Sequence, residues 1–281
     1  MQGSQRRPGV EAFFLPVPDG ARFCVHHPPR HKNGLGVVFA SAFAEEMNKS
    51  RHIVAQASRR LAAQGFGVLC IDLKGCGDSS GSFDQASWAD WRQDISTAID
   101  WMLAQGYSRV VLWGQRLGAM LAAQAAAARP NDVARCLLWQ PVVQGETHLV
   151  QFLRLRLANA MLSGHKGGET GKTLRARLSG GETLEVAGYP LSPGMADDLD
   201  RLELGTLRPA CAVDWIEIVA EQGQALPVGA ARVTEAWRKD GAALVVSAIV
   251  AQPFWAATNA VELVPCDAIV EATASAAKAW L

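Results

Sequence analysis

The segment with the clearest chemical signal is residues 114–118, which read Gly-Gln-Arg-Leu-Gly. It follows an apolar run at 109–113 and precedes an alanine-rich stretch, so the pattern predicts a strand, a tight turn and a helix. Two glycines four residues apart let strand and helix crowd such a turn, and the central side chain then projects at the helix N-terminus. A serine there would be a nucleophile, but the position holds Arg116.

The surrounding sequence predicts a mostly parallel sheet with helices on both faces. Apolar runs alternate with segments of helical period, which is typical of βαβ units, and the runs lie at 36–40, 67–72, 109–113, 135–139, 213–219 and 243–250. Strand-like runs at 11–15 and 21–26 flank a Pro-Val-Pro-Asp-Gly turn and predict an antiparallel hairpin. We expect one α/β domain over residues 1–281, with an inserted lid at about 142–207 that contains a hairpin across 179–182.

The composition predicts a protein without a strong overall electrostatic field. Lys plus Arg and Asp plus Glu number 27 each, so neither nucleic acid nor an anionic membrane is indicated as a partner. No apolar run follows the polar start and no stretch holds eighteen apolar residues, which predicts neither a signal peptide nor a membrane span. The six dispersed cysteines show no metal-ligand spacing, so we expect reduced thiols, a cytoplasmic location, and no metal or cofactor.

A second motif extends the pattern beyond the turn. Residues 72–81 read Asp-Leu-Lys-Gly-Cys-Gly-Asp-Ser-Ser-Gly, which is similar to the D-x-R-G-x-G-x-S-x-G turn of many α/β-hydrolases, with Lys74 in place of the usual arginine. Together with the frame of residues 114–118, it makes the chain resemble the α/β-hydrolase superfamily along nearly its whole length. The resemblance implies the α/β-hydrolase fold: a mostly parallel central sheet, helices on both faces and an inserted lid.

Three shorter strings narrow the resemblance. Residues 42–51 (AFAEEMNKSR), 113–119 (WGQRLGA) and 253–255 (PFW) are similar to the exosortase A system-associated hydrolase 2 family. That resemblance implies a bacterial setting of exosortase-type export and exopolysaccharide production, with a second, active hydrolase as a partner. It also implies a nominal ester or acyl hydrolase.

The residues of a serine-type triad are missing from their usual positions. Acyl transfer on this fold needs a nucleophile, an acid and a histidine base in that order along the chain. All six histidines precede residue 166, and arginine cannot act as a nucleophile because its guanidinium stays protonated. Glu221 could fill the acid position after the 213–219 strand, but it has no histidine to orient.

Arg116 has two alternative roles. As a cation beside the amide of Leu117 at a helix N-terminus, it could bind the carboxylate or phosphate of a small anionic or acyl ligand. Alternatively, it could form an internal ion pair with Glu45 or Glu46 and close a vestigial site. In either case the predicted pocket residues are Phe43, Glu45, Glu46, Gln115, Arg116, Leu117 and Trp255.

Other residues could carry a relocated chemistry. Cys76, Ser79 and Ser80 lie in a turn at the pocket edge and could supply a nucleophile, although that turn is structural in the superfamily. His52 could reach the pocket as a base, or be a solvated helix residue. The lid segment 146–182 contains three acidic residues and six basic ones, which are Arg154, Arg156, Lys166, Lys172, Arg175 and Arg177. These basic residues could bind an anionic partner or lipid headgroup, or they could form a solvated basic face.

Three functions therefore remain open from the sequence. In the first interpretation, the chain is an ester or acyl hydrolase that acts through unconventional residues. It is alternatively a non-catalytic pseudo-hydrolase that binds a ligand at Arg116. The third interpretation is a scaffold for a second hydrolase encoded nearby.

Overall fold

The computed structural model describes residues 9–162, 169–256 and 267–281. The strands are β1 Glu11–Val17, β2 Gly20–His27, β3 Leu35–Ala40, β4 Gly67–Ile71, β5 Arg109–Gln115, β6 Val133–Trp139, β7 Leu184–Val186, β8 Tyr189–Leu191, β9 Ala212–Val219 and β10 Leu244–Val250. The helices are α1 Glu45–Ala63, α2 Trp88–Ala104, α3 Gly118–Ala128, α4 Gly145–Leu162, α5 Gly171–Ser179, α6 Pro193–Asp200, α7 Val228–Lys239 and α8 Asp267–Ala277.

Eight of these strands form one sheet in the order β1-β2-β4-β3-β5-β6-β9-β10. The β1–β2 hairpin and the β2–β4 pair are antiparallel, and the remaining neighbours are parallel. The predicted sheet and its initial hairpin are confirmed. Because the carboxyl ends of parallel strands share one edge, the turns after β3, β5, β6 and β9 lie together.

Two apolar cores cover the two faces of the sheet. On one face α1 and α8 pack over strands β3, β4, β5 and β6, with Ile53, Leu61 and Ile269 fully buried. The other face carries α2, α3 and α7, where Ile95, Met120 and Trp237 are fully buried. The apolar spacing within each helix therefore marks the face that packs on the sheet.

The connection between β6 and β9 contains α4, α5, α6 and the β7–β8 hairpin. The hairpin predicted across residues 179–182 is wrong: Ser179 ends α5, and the strands pair at Leu184↔Leu191 around Ala187 and Gly188. Leu174 and Leu178 are buried, so the segment before Gly180 packs as a helix instead of as a strand. No helix in the described ranges is both long and apolar enough to cross a membrane.

Candidate functional site

The turn between β5 and α3 has the tight geometry that the sequence predicts. A Cβ atom on Gly118 would overlap the carbonyl oxygens of Ala40 and Ser41, and one on Gly114 would lie 2.5 Å from the Cα of Ala119. Strand and helix therefore approach so closely that both positions require glycine. The central residue of this turn is Arg116.

Arg116 has a left-handed backbone conformation, with φ of 54°. Its amide donates to the carbonyl of Trp139 at 2.9 Å, and its own carbonyl accepts from Val142 at 3.1 Å. Ala44 (φ 50°) and Gln140 (φ 43°) are also left-handed and follow the adjacent strands β3 and β6. Backbone strain of this kind clusters at functional sites, so three strained residues mark this edge of the sheet.

The Arg116 side chain forms a buried ion pair with Glu46 in the first turn of α1. Its Nε donates to Oε1 and Oε2 at 3.2 and 3.3 Å, and its Nη2 donates to Oε1 at 3.1 Å. The guanidinium carbon lies 4.9 Å from the centre of the Trp255 ring. Burial raises the pKa of Glu46, and the Arg116 charge acts against that rise. Of the two roles for Arg116, the structure contains the internal ion pair.

The ion pair lines a cavity of about 210 Å³. Its apolar wall consists of Phe43, Phe152, Leu155 and Trp255. Its polar residues are Glu45, Glu46, Lys49, Arg116, His148 and Gln151. No hydrogen bond joins the Nη1 group of Arg116 to any described residue, so this nitrogen keeps a donor for a ligand. The ion pair therefore occupies only the base of the site.

His148 on α4 is a pocket residue that the sequence analysis did not single out. Its ring is only 5% exposed and packs edge-on against Phe43, with ring centres 5.7 Å apart. Neither ring nitrogen has a hydrogen-bond partner among the described residues. Burial lowers the pKa of His148 to about 3, and the Arg116 charge adds to the effect, so the ring is neutral at physiological pH. Only its presence in a helix with apolar neighbours could have indicated its burial.

The strand β9 contributes the buried acid Glu217 near Arg116, whereas Glu221, the predicted acid, lies away from the cavity. Glu221 is exposed in the loop after β9 and does not line the cavity. Glu217 is buried within β9, where it accepts from Trp215 Nε1 at 2.7 Å and from Gln140 Nε2 at 2.8 Å. Burial raises its pKa, whereas the Trp215 bond, the Arg116 charge and the Gln140 bond lower it. A glutamate inside the apolar run 212–219 was the signal that could have identified it.

Two predicted pocket residues point away from the cavity. Gln115 is fully buried, and its Nε2 donates to Ser50 Oγ at 2.7 Å on the α1 side of the sheet. Leu117 packs into the core on the opposite face. Both neighbours of Arg116 are directed elsewhere because consecutive side chains diverge at a tight turn. Phe43, Glu45, Glu46, Arg116 and Trp255 do line the cavity.

The residues considered as relocated nucleophiles hold the 72–81 turn together. Ser79 Oγ donates to the Asp72 carbonyl at 2.5 Å and accepts from the Phe23 amide at 2.9 Å. Ser80 Oγ accepts from the Ala21 amide at 3.0 Å. Burial raises the pKa of the Cys76 thiol to about 12, which keeps it protonated. These three residues and His52 lie outside the lining of the cavity.

The basic residues of the β6–β9 connection are largely paired. Arg156 and Arg177 both contact Glu169, and Arg177 also pairs with Glu182. Arg175 pairs with Asp200 at 2.9 Å. Lys166 lies outside the described residues. Internal ion pairs therefore engage three of the five basic residues of this set that the structure describes, namely Arg156, Arg175 and Arg177.

Acidification is expected to destabilise the protein through His148. Its pKa falls from an ordinary value of 6.5 to about 3 on folding, so between these pH values the unfolded chain binds a proton that the folded chain does not. The free energy of unfolding therefore decreases as pH falls, by about 2 kcal/mol at pH 5 for this residue. His27, with a pKa lowered to about 4 by burial, acts in the same direction.

Urea unfolding at pH 7 and pH 5 measures this effect. In His148→Phe, the difference between the two pH values should shrink by about 2 kcal/mol. The exposed His31, changed to glutamine, is the matched control and should leave the difference unaltered. A His148→Phe variant with the full wild-type loss of stability at pH 5 would contradict the assignment.

Comparison with known proteins relates this geometry to hydrolases. The bovine mitochondrial palmitoyl-protein thioesterase ABHD10 is 30% identical over 98 residues, which are 35% of this chain and 30% of the bovine protein. The chain thus spans about a third of the length of the curated relatives that it matches.

Solved structures match over much more of the chain. Est1E from Butyrivibrio proteoclasticus, with ferulic acid bound, superposes with a TM-score of 0.66 at 13% identity, over 96% of this chain and 97% of that one. Mouse ABHD10 superposes with a TM-score of 0.52 at 14% identity, over 86% and 89%. At these identities the likeness shows the fold, which is the α/β-hydrolase fold predicted from the sequence.

A family profile gives the more specific relationship. The profile Hydrolase_4, described as serine aminopeptidase, S33, matches residues 34–177, which is just over half of the chain. This range includes the turn at residues 114–118, the 72–81 motif and the helix that carries Glu46. The chain therefore belongs to the Hydrolase_4 family of serine aminopeptidase S33 type.

Proposed function

We infer that this protein binds a small amphipathic carboxylic acid, or the acyl group of a larger ligand, in the cavity at Arg116 without hydrolysing it. The observation that carries this proposal is the arginine at the centre of the strained turn. The turn presents its central side chain to the cavity, and that side chain is a paired guanidinium. A guanidinium can position a carboxylate but cannot attack an ester.

The surroundings of Arg116 support a binding role more than an unconventional catalytic one. His148 lines the cavity, and a pKa of about 3 makes its imidazole a weak base for proton abstraction at neutral pH. The hydroxyl groups of Ser79 and Ser80 are engaged by backbone groups. The Cys76 thiol remains protonated. These four residues are therefore poorly placed or poorly activated to replace the missing serine or histidine.

The cavity offers two kinds of contact to an amphipathic ligand. The Arg116 Nη1 group and the Lys49 ammonium can receive a carboxylate, because neither makes a hydrogen bond or ion pair with the described residues. The side chains of Phe43, Phe152 and Trp255 provide the apolar wall. The lining holds two cations, Lys49 and Arg116, and two carboxyl groups, Glu45 and Glu46, and burial raises the pKa of both carboxyl groups.

The relatives point to ligands of this chemistry. The mitochondrial ABHD10 proteins act as palmitoyl-protein thioesterases, and Est1E holds ferulic acid, an aromatic carboxylic acid. For this chain we propose only that the ligand contains such an acyl or carboxylate group. The resemblance to the exosortase-associated family supports a role beside bacterial export and exopolysaccharide production, with an active hydrolase as a partner.

Titration calorimetry with a series of carboxylic acids tests the proposal. We expect hexanoate, octanoate and ferulate to bind with one-to-one stoichiometry, and we expect butyrate to bind more weakly because it buries less apolar surface. Arg116→Gln should weaken the binding of octanoate by about tenfold, the loss of one charge-assisted contact. Octanol, which lacks the charge, should also bind more weakly than octanoate.

The matched control is Arg232→Gln, at an exposed arginine on α7 that lies outside this cavity. Its affinity for octanoate should equal that of the wild type. The ligand-binding role fails if no carboxylate in the series binds, or if octanoate binds equally well to Arg116→Gln. Recovery of a second hydrolase with the inert protein would then favour the scaffold interpretation.

A further inference from the structure

A second groove lies at the opposite end of α1 from Arg116. It has a volume of about 780 Å³ and runs between the last turns of α1 and the segment that follows β2. Its lining includes Val10, His27, Arg30, His31, Arg59 and Ala62. The proposed ligand site of Arg116 shares none of these residues.

The groove lies beside a face of α1 that carries two alanines and an arginine. Ala55, Arg59 and Ala63 recur every four residues and therefore lie on one face of the helix. On the sheet side, Val25 and His27 alternate along β2 and point toward the same helix. Large apolar residues on this face of α1 would have filled the space, as Ile53 and Leu61 do over the other strands.

The groove has a positive charge that no described residue balances. Arg30 and Arg59 are exposed, and neither forms an ion pair with any of the described residues. The lining includes no aspartate or glutamate. The described lining of the groove therefore has a positive charge that an anionic head group would complement.

His27 connects the charged groove to an apolar one. Its side chain is 5% exposed, and its ring makes no hydrogen bond to the described residues. Burial lowers its pKa to about 4, with Arg59 and His26 adding to the effect, so the ring is a neutral donor at pH 7. The same residue lines another cavity of about 210 Å³. Its apolar residues include Val25, Phe39, Val54 and Ile71, and the paired side chains of Arg51 and Asp72 also line it.

The far wall of this apolar cavity carries an unpartnered polar atom. Gln115 lines it and is fully buried, and its Oε1 has no hydrogen-bond partner among the described residues. The basic groove therefore adjoins, at His27, a cavity whose lining is largely apolar but also includes Gln115 and the Arg51–Asp72 ion pair. A molecule with a charged head in the groove and an alkyl chain against the apolar side chains would match this arrangement.

We propose that this groove binds a single-chain amphiphile whose anionic head group contacts Arg30, Arg59 and His27 and whose alkyl chain extends past Ala55 into the apolar cavity. Two guanidinium groups beside an N–H donor suit a phosphate or carboxylate head. The apolar cavity adds affinity in proportion to the alkyl surface that it buries. The site is separate from the cavity at Arg116 and does not depend on the function proposed for it.

The test uses decyl phosphate below its critical micelle concentration, with calorimetry as the readout. We expect saturable one-to-one binding that is at least about tenfold tighter than that of inorganic phosphate. The double change Arg30→Glu/Arg59→Glu should weaken decyl phosphate binding by about tenfold or more. Ala55→Phe, which narrows the groove without altering charge, should weaken decyl phosphate but leave inorganic phosphate unaffected.

The matched control is Arg238→Glu, at an exposed and unpaired arginine on α7, which should bind decyl phosphate as the wild type does. Thermal unfolding of each variant shows whether the fold is retained. Decyl phosphate binding that survives Arg30→Glu/Arg59→Glu would place the ligand in another cavity and overturn the proposal. Equal affinity for inorganic phosphate and decyl phosphate would show that the apolar cavity does not bind the alkyl chain. Binding to anionic vesicles but not to decyl phosphate would show that the groove does not bind a single amphiphile.

Discussion

Gly118→Ala should lower the free energy of unfolding by about 3 kcal/mol, because the added methyl group would be packed against atoms that cannot move aside. The added methyl group would overlap two backbone carbonyl oxygens, those of Ala40 and Ser41. A flexible side chain could rotate away from it, but backbone in the centre of a sheet cannot. Urea unfolding followed by tryptophan fluorescence gives the change, because a shifted midpoint at constant slope reports stability.

Gly194→Ala is the matched control for this substitution. Gly194 lies in the first turn of α6, is exposed, and has open space around the position of a Cβ atom. Alanine there should be neutral or stabilising by about 0.5–1 kcal/mol, because it reduces the entropy of the unfolded chain. A Gly118→Ala protein that unfolds at the wild-type urea concentration would show that strand and helix are not as close as described.

The ion pair between Arg116 and Glu46 should give a coupling energy of about 2 kcal/mol in a double-variant cycle. Each single change, Arg116→Gln or Glu46→Gln, leaves one charged group in a site where the two side chains are only 14% and 10% exposed. Removal of one partner from a buried pair costs about 3 kcal/mol or more. The double variant replaces both charges with amides and should recover part of the loss.

The exposed pair Arg60–Glu271 provides the matched control for the cycle. Its nitrogen and oxygen lie 3.2 Å apart, almost as in the buried pair, but its side chains are 52% and 63% exposed. Solvent screening should reduce its coupling energy to about 0.5 kcal/mol. Equal coupling energies for the two pairs would mean that Arg116 and Glu46 do not form a buried contact.

Periodicity was enough to predict the elements that carry the site. The strand expected at 109–113 is observed at Arg109–Gln115, and the strand expected at 213–219 is observed at Ala212–Val219. The error at residues 179–182 arose because Gly180 and Gly181 are equally suited to a hairpin and to a helix C-terminus. Only the burial of Leu174 and Leu178 in the tertiary structure decides between the two.

The site was less predictable because it depends on side-chain direction. The sequence left Glu45 and Glu46 as alternative partners of Arg116, since adjacent residues in a first helical turn differ by about 100° in direction. It also gave no reason to select His148, which reaches the cavity through the packing of α4 against Phe43. Glu217 was overlooked because strand residues of an α/β sheet are expected to be apolar.

The turn between β5 and α3 retains the geometry for a nucleophile but holds a cation in its place. The two glycines and the left-handed central residue preserve the frame, and the Arg116–Glu46 pair occupies the base of the cavity. A ligand would then be positioned by the same turn that positions a scissile ester in a hydrolase. Binding without turnover is the expected consequence.

The most direct test of that claim is turnover of short-chain and long-chain acyl esters and thioesters by the purified protein, beside Arg116→Ala and Arg116→Ser. We predict that the wild-type rate equals the rate without protein for every substrate. Both variants should be equally inert, because a serine at position 116 would still lack a histidine base. Turnover by the wild type that disappears in Arg116→Ala would contradict the account and identify an unconventional enzyme in this cavity.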